Sequence, residues 1–168
     1  MNSVLIHVED PGALNLLEGI PESLENCGIK TFLLADGAAA DKLGNNPNLL
    51  KRGNLSAKQI INERSPSLII LGTSENRNSF SFDLILEARS LHIHTIGLID
   101  MWCNASNRFR GNSDNPLFYA PNELFAPDEK TLQAFVKLGF DFKNITLVGN
   151  PVFKKALDWK EDFEEKDL

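Results

Sequence analysis

Apolar residues in this chain gather in short runs, at Ser3 to Val8, Lys30 to Ala35, Leu68 to Leu71, His94 to Ile99, Glu123 to Ala126 and Ile145 to Val148. A briefer run lies at Leu49 to Lys51. Runs this short, rich in Val, Ile and Leu and closed by turn formers, suit strands buried on both faces of a parallel sheet. Between them the spacing changes to three and four. Ala13, Leu17, Ile20, Leu24 and Cys27 share one helical face, with Pro21 expected to kink or restart the helix and Gly28 to close it. Further helices are predicted from Asp36-Gly37 to Leu43 and from an N-cap at Ser56 to Arg64. Another runs over Phe82 to Leu91, with Phe82, Ile85, Leu86 and Arg89 on one stripe. The last is capped by Pro127-Asp128, turns Leu132, Phe135 and Val136 inward and ends at Gly139. Asn112 to Pro121, crowded with turn formers, is expected to be a mobile loop.

Strands alternating with helices at this spacing predict an α/β fold that is Rossmann-like, a mostly parallel sheet with helices on both faces and right-handed crossovers. At 168 residues the chain has room for one domain with a real core, expected over 1–157. The stretch 158–168 is set apart by charge: six acids against two lysines, −4 of the chain's −6, in an acidic tail or interdomain linker.

Composition narrows the function classes. Apolar residues make up 42% and charged residues 24%, which is ordinary globular usage. The net charge of −6 and a pI near 5.1 speak against nucleic acid or an anionic membrane as partner. There is no apolar run of spanning length and no signal-peptide order, and Cys27 and Cys103 are too few for a disulfide framework; a cytoplasmic location is expected. GxGxxG after the first strand, GxxxxGK[ST], HExxH and GxSxG are all missing, so dinucleotide oxidoreductases, P-loop enzymes, zincins and serine hydrolases lose ground. His7, His92 and His94 have no acid at ligand spacing, and no metal site is expected.

The candidate chemistry sits after the strands. In a doubly wound sheet the order reverses between the first strand and that at Leu68 to Leu71, and a crevice opens there. The loops meeting it supply Glu9 and Asp10; Ser74, Glu75 and Asn76; and Asp100, Trp102, Asn104 and Arg108 from the polar and aromatic stretch after His94 to Ile99. Acids and amides bind hydroxyls in pairs, an indole stacks on a sugar ring, and a carboxylate can take a proton from an attacking hydroxyl. The set suits a polyhydroxylated ligand. Asp10 serves equally as the cap of the helix that begins at Pro11, Trp102 as cover for the sheet edge, and Arg108 as the partner of a neighbouring acid.

Taken together, EDPGALN after the first strand, the GTSE loop, IDMWCNASNRF, APNELFAPDE and the closing LVGNP resemble the N-terminal half of GT-B glycosyltransferases and the related UDP-N-acetylglucosamine 2-epimerases. The resemblance implies two Rossmann-like domains facing a cleft, the first receiving the acceptor and the second holding the nucleotide-sugar donor. It implies Asp10 and Asp100 as the base or as contacts to acceptor hydroxyls, with Trp102, Asn104 and Arg108 near the cleft. LVGNP falls where the first domain hands over to the second, and the chain stops at Leu168 without a donor half. The expectation is the acceptor-binding half of an enzyme of glycan or surface-polysaccharide biosynthesis, inactive alone. It would hold no cofactor of its own and would be completed in cis or in trans by a domain that brings the nucleotide sugar. A stand-alone module binding a nucleotide or sugar and an interaction domain, homo-oligomeric or otherwise, are the alternatives.

Overall fold

The computed structural model describes residues 2–151 apart from 45 and 47, together with Trp159. Its centre is β1 (Ser3–Val8), in which every residue is buried. It lies between β2 (Lys30–Ala35) and β4 (Leu68–Gly72), parallel to both. The other strands are β3 (Leu49–Leu50), β5 (His94–Leu98), β6 (Glu123–Ala126) and β7 (Ile145–Leu147). They form one sheet in the order β3-β2-β1-β4-β5-β6-β7, and every pairing is parallel. The order reverses between β1 and β4, as the doubly wound reading requires.

Alternation along β1 assigns the helices to faces. Val4, Ile6 and Val8 share a cluster with Ala13 of α1 (Pro11–Leu16), with Leu17 just after it, with Ile20 and Leu24 of α2 (Ile20–Asn26) and with Ala39 of α3 (Gly37–Leu43). Leu5 points the other way, into Ile60 and Ile61 of α4 (Ala57–Arg64) and Leu84, Ile85 and Ala88 of α5 (Phe80–Ser90). A third cluster joins Ile99, Phe109 and Leu124 to Leu132 and Phe135 of α6 (Glu129–Lys137). Each fully buried aliphatic or aromatic side chain here contributes roughly 1.5–3 kcal/mol relative to exposure.

Several expectations shift by physical causes that local spacing does not carry. The first helix is two helices: Gly19 adopts φ 77°, and Pro21 falls in the first turn of α2, where its missing N–H costs nothing. Cys27, expected on the buried face, is exposed. α5 begins at Phe80, two residues before the expected start, because the Ser79 hydroxyl accepts from the Ser81 N–H. Its buried stripe holds Phe82, Leu84, Ile85 and Ala88; Leu86 and Arg89 face outward. Helix α4 has the full reciprocal capping box between Ser56 and Gln59.

Asn112 to Pro121 is tied down where the sequence suggests mobility. The Tyr119 N–H donates to Phe109 O at 2.8 Å, and its ring stacks on Phe82 at 4.4 Å between centroids. Arg89 donates to the carbonyls of Phe118 and Ala120. The acidic stretch over 158–168 lies outside the described residues apart from Trp159. Among the described residues no helix is long and apolar enough to cross a membrane.

Two close fits hold α1 and β2 in place. Gly72, the last residue of β4, lies so near α1 that an added Cβ would stand 2.7 Å from Ala13 Cβ. At the end of β2, Asp36 accepts from buried His7 (Nε2 to Oδ2, 3.1 Å) and from Arg52 (Nε to Oδ1, 3.0 Å). The other ring nitrogen of His7 meets Ser81 Oγ at 2.7 Å, and Arg52 lies 4.4 Å over the Phe80 ring. The hydrogen bond from His7 is the main reason the Asp36 carboxyl titrates below its ordinary range, aided by the charges of His7 and Arg52 and opposed by burial.

Gly72→Ala is expected to overpack this contact and cost about 1–3 kcal/mol in urea denaturation. Asp36→Ala strands buried His7 and is expected to cost roughly 1–3 kcal/mol at neutral pH. Because Asp36 titrates lower folded than unfolded, its contribution is full above the unfolded pKa and fades as pH falls through the folded one. The gap between wild type and Asp36→Ala should therefore close in acid. A gap of constant size across that range would rule this linkage out.

Candidate functional site

In a parallel sheet every strand delivers its carboxyl end to the same edge, so the loops after β1, β4, β5 and β6 meet there. They are bound to one another by side chains. Glu9 accepts from Ser74 Oγ at 3.1 Å and from the Asn76 amide, linking the first loop to the second. Asn104, left-handed at φ 53° as asparagine tolerates, donates Nδ2 to Glu75 Oε1 at 2.9 Å, linking the second to the third. Buried Thr73 donates to Leu98 O at 3.1 Å. Glu9, Ser74, Glu75 and Asn104 thus form one connected rim.

Asp100 follows Ile99 at the end of β5 and lies against α1. An added Cβ on Gly12 would stand 2.8 Å from Asp100 Oδ2, so only glycine allows this approach. Arg108 comes up from beneath, itself only 5% exposed, with Nη2 3.1 Å from Asp100 Oδ1. The pair is at ion-pair distance but outside hydrogen-bond geometry: Asp100 Oδ1 and Arg108 Nε have no hydrogen-bond partner. Nη2 also reaches the Cys103 carbonyl at 3.4 Å. Arg108 therefore faces Asp100, and its guanidinium is turned away from solvent.

Asp10 stands at the N-cap position of α1 without capping it; its side chain makes no cap hydrogen bond. Its carboxyl titrates above the ordinary range. Burial is the main cause, with repulsion from Glu9, Asp100 and Glu75 adding to it and the Arg108 charge opposing it.

Beside these acids opens a cleft of about 300 Å³ lined by Gly12, Asn15, Asp100, Met101, Trp102 and Asp128 among others. Trp102 is 43% exposed, and Lys130 Nζ sits 3.6 Å from the centre of its ring. Lys130 was not legible as part of this region: a lysine in the first turn of a helix reads as solvated, and only the packing of α6 carries it to the indole. Asp128, expected as a cap, accepts from the Thr131 N–H at 2.7 Å and also lines the cleft. A larger depression of about 390 Å³, between α1–α2 and α3, holds none of the strand-end acids. Among the described residues no group of His, Cys, Asp and Glu is placed to hold a metal ion.

No protein-family model matches the chain, and no curated protein does. Solved structures do match its fold. The UDP-GlcNAc 2-epimerase of Methanocaldococcus jannaschii superposes with a TM-score of 0.64 at 16% identity, over 89% of this chain and 46% of that one. The Neisseria meningitidis UDP-GlcNAc 2-epimerase, solved bound to UDP-GlcNAc, gives 0.60 at 13% over 98% and 50%. The lipopolysaccharide outer core galactosyltransferase WaaB gives 0.56 at 13% over 89% and 46%. The chain has the Rossmann-like fold found in UDP-GlcNAc 2-epimerases and in a GT-B galactosyltransferase, and it spans about half the length of these structures.

Replacing Arg108 with Met leaves Asp100 without its cation and is expected to cost roughly 1–3 kcal/mol. A double-mutant cycle with Asp100→Asn should show a coupling of about 1 kcal/mol or more. Additive effects would mean that the two side chains are neighbours without being partners.

Proposed function

We propose that this chain is the acceptor-binding half of a GT-B-like glycosyltransferase of glycan or surface-polysaccharide biosynthesis. A nucleotide-sugar-binding half, in cis or in trans, completes it. One observation carries the reading: in a fold found in sugar-nucleotide enzymes, with its order reversing between β1 and β4, Asp100 and Trp102 line one cleft and Asp10 lies within electrostatic range of Asp100. The half-length match is consistent with a donor side contributed by a second Rossmann-like half, since a cleft between two such halves needs the second to present the donor.

Within this reading the two acids divide the work. Asp100 is paired with Arg108 at ion-pair distance, and in this reading it orients an acceptor hydroxyl. The Asp10 carboxyl has no hydrogen bond or ion pair among the described residues, and its raised pKa suits it to accept a proton. Asp10 takes the proton from the hydroxyl as its oxygen attacks the sugar carbon of the donor and the nucleotide leaves. Trp102 presents an apolar face to the acceptor ring.

The isolated chain should turn over no nucleotide sugar. In the enzyme reconstituted with its donor half, Asp10→Asn should lower kcat by about 10²–10⁴ while leaving acceptor binding within a few-fold. The same variant should be more stable than wild type at neutral pH. A carboxyl whose folded pKa is raised costs stability when ionised, and that cost disappears as pH falls below the unfolded pKa. Full turnover by Asp10→Asn would remove Asp10 as the base; full turnover by the isolated chain would overturn the half-enzyme reading.

A second reading is supported by the completeness of the sheet. Three core clusters close around seven strands within the described residues, as a self-sufficient binding module requires. It predicts a rise in Tm of the isolated chain with a nucleotide or nucleotide sugar, which the acceptor-half reading does not.

A further inference from the structure

At the edge of the sheet opposite the strand-end acids, the end of α5, the start of β5 and the residue before β6 surround a shallow cavity of about 260 Å³. Arg89, His92, Ile93, His94 and Asn122 line it. In a chain with a net charge of −6, no carboxylate among the described residues is part of this wall.

Two of the polar side chains are held by hydrogen bonds that leave donors over. Asn122 Oδ1 accepts from the Thr95 N–H at 2.9 Å and from Thr95 Oγ1 at 2.8 Å. A backbone N–H only donates, so the amide turns its oxygen to buried Thr95 and its Nδ2 group away. That Nδ2 forms no hydrogen bond among the described residues. Arg89 donates Nη1 to Phe118 O at 3.0 Å and Nη2 to Ala120 O at 2.6 Å. These bonds fix the plane of the guanidinium and use only part of its donor fork. Arg89 forms no ion pair among the described residues.

Two imidazoles complete the wall. His94 Nε2 stands 3.6 Å from Glu123 Oε2, and Glu123 Oε1 accepts from Thr146 Oγ1. His92 is exposed at φ 56°, at the end of a helix where a left-handed residue is usually glycine. The turn itself does not ask for an imidazole there. An arginine with its plane fixed and an amide offering only its N–H groups make a donor set for an oxyanion. A cation finds no ligand in it, and a neutral ligand leaves the Arg89 charge unanswered.

We propose that this cavity binds a phosphate group, with Arg89 and Asn122 Nδ2 as its main contacts and His92 and His94 at its sides. The donors come from separate segments of the chain, an arrangement that suits the spread oxygens of a tetrahedral anion better than a planar carboxylate. The site lies away from Asp10 and Asp100 and stands independently of the acceptor reading.

Amide NMR of the 168-residue chain at low ionic strength, titrated with inorganic phosphate and with glycerol 2-phosphate, tests this. Saturable shifts should appear at the Asn122 side-chain amide and at the His92 and His94 backbone amides. Equal or tighter binding of the inorganic ion marks a site for free phosphate. Tighter binding of the ester marks a site for phosphate carried on a larger molecule, and either result upholds the proposal. Asn122→Asp keeps the acceptor that Thr95 needs but exchanges Nδ2 for an anionic oxygen, so it should abolish saturable binding with the fold intact. Arg89→Met should weaken binding about tenfold or more. His92→Gly should raise Tm, because glycine relieves the left-handed backbone, and should also weaken phosphate several-fold. A merely structural histidine would give the first effect without the second. Lys58→Met, at an exposed cation on α4, should leave the affinity unchanged. No saturable shift at these residues, an affinity unaltered by Asn122→Asp, or an equal loss in Lys58→Met would overturn the proposal.

Discussion

Burial of β1 on both faces is the constraint from which the rest follows. A strand with no solvent face needs helices above and below and a parallel strand on either side. Such connections run the length of the sheet and return, so consecutive strands end at one edge. With β2 on one side and β4 on the other, β1 also stands where the chain reverses direction across the sheet. The connection after it, Glu9 and Asp10, is therefore placed between the loops from both halves. Carboxylates, absent along β1 itself, appear as soon as the strand leaves the core, at Glu9 and Asp10.

The acids at that edge owe their different characters to what lies behind them. Asp100 is backed by a buried guanidinium and lies so near Gly12 that an added Cβ there would meet it. Asp10 lies close by, without a cation of its own and with three other carboxylates in range. One sits at ion-pair distance from a guanidinium and the other is pushed upward in pKa mainly by burial, a difference that two chemically identical groups obtain only from their surroundings. The same edge carries a second polar network, His7 with Asp36, Arg52 and Ser81, whose members are satisfied by one another and bear on stability.

Much of this was written in local pattern. The strand runs, the caps at Ser56 and Asp128, the parallel sheet and its reversal of order between β1 and β4 follow from spacing, turn chemistry and the rule that parallel strands end together. Those signals act over a few residues and depend little on what the segment packs against. The resemblance carried by IDMWCNASNRF and LVGNP pointed to the same fold that the solved structures show.

Other features arise only when distant segments meet. That Asp10 leaves its helix uncapped, that Arg108 turns inward to Asp100, and that Lys130 covers Trp102 are outcomes of packing between loops separated by many residues. The outward turn of Leu86 and the anchoring of Asn112 to Pro121 on Phe82 and Arg89 are of the same kind. Periodicity names the residues that leave the core. Which carboxylate meets a cation, and which does not, is decided by the three-dimensional packing that brings distant segments together.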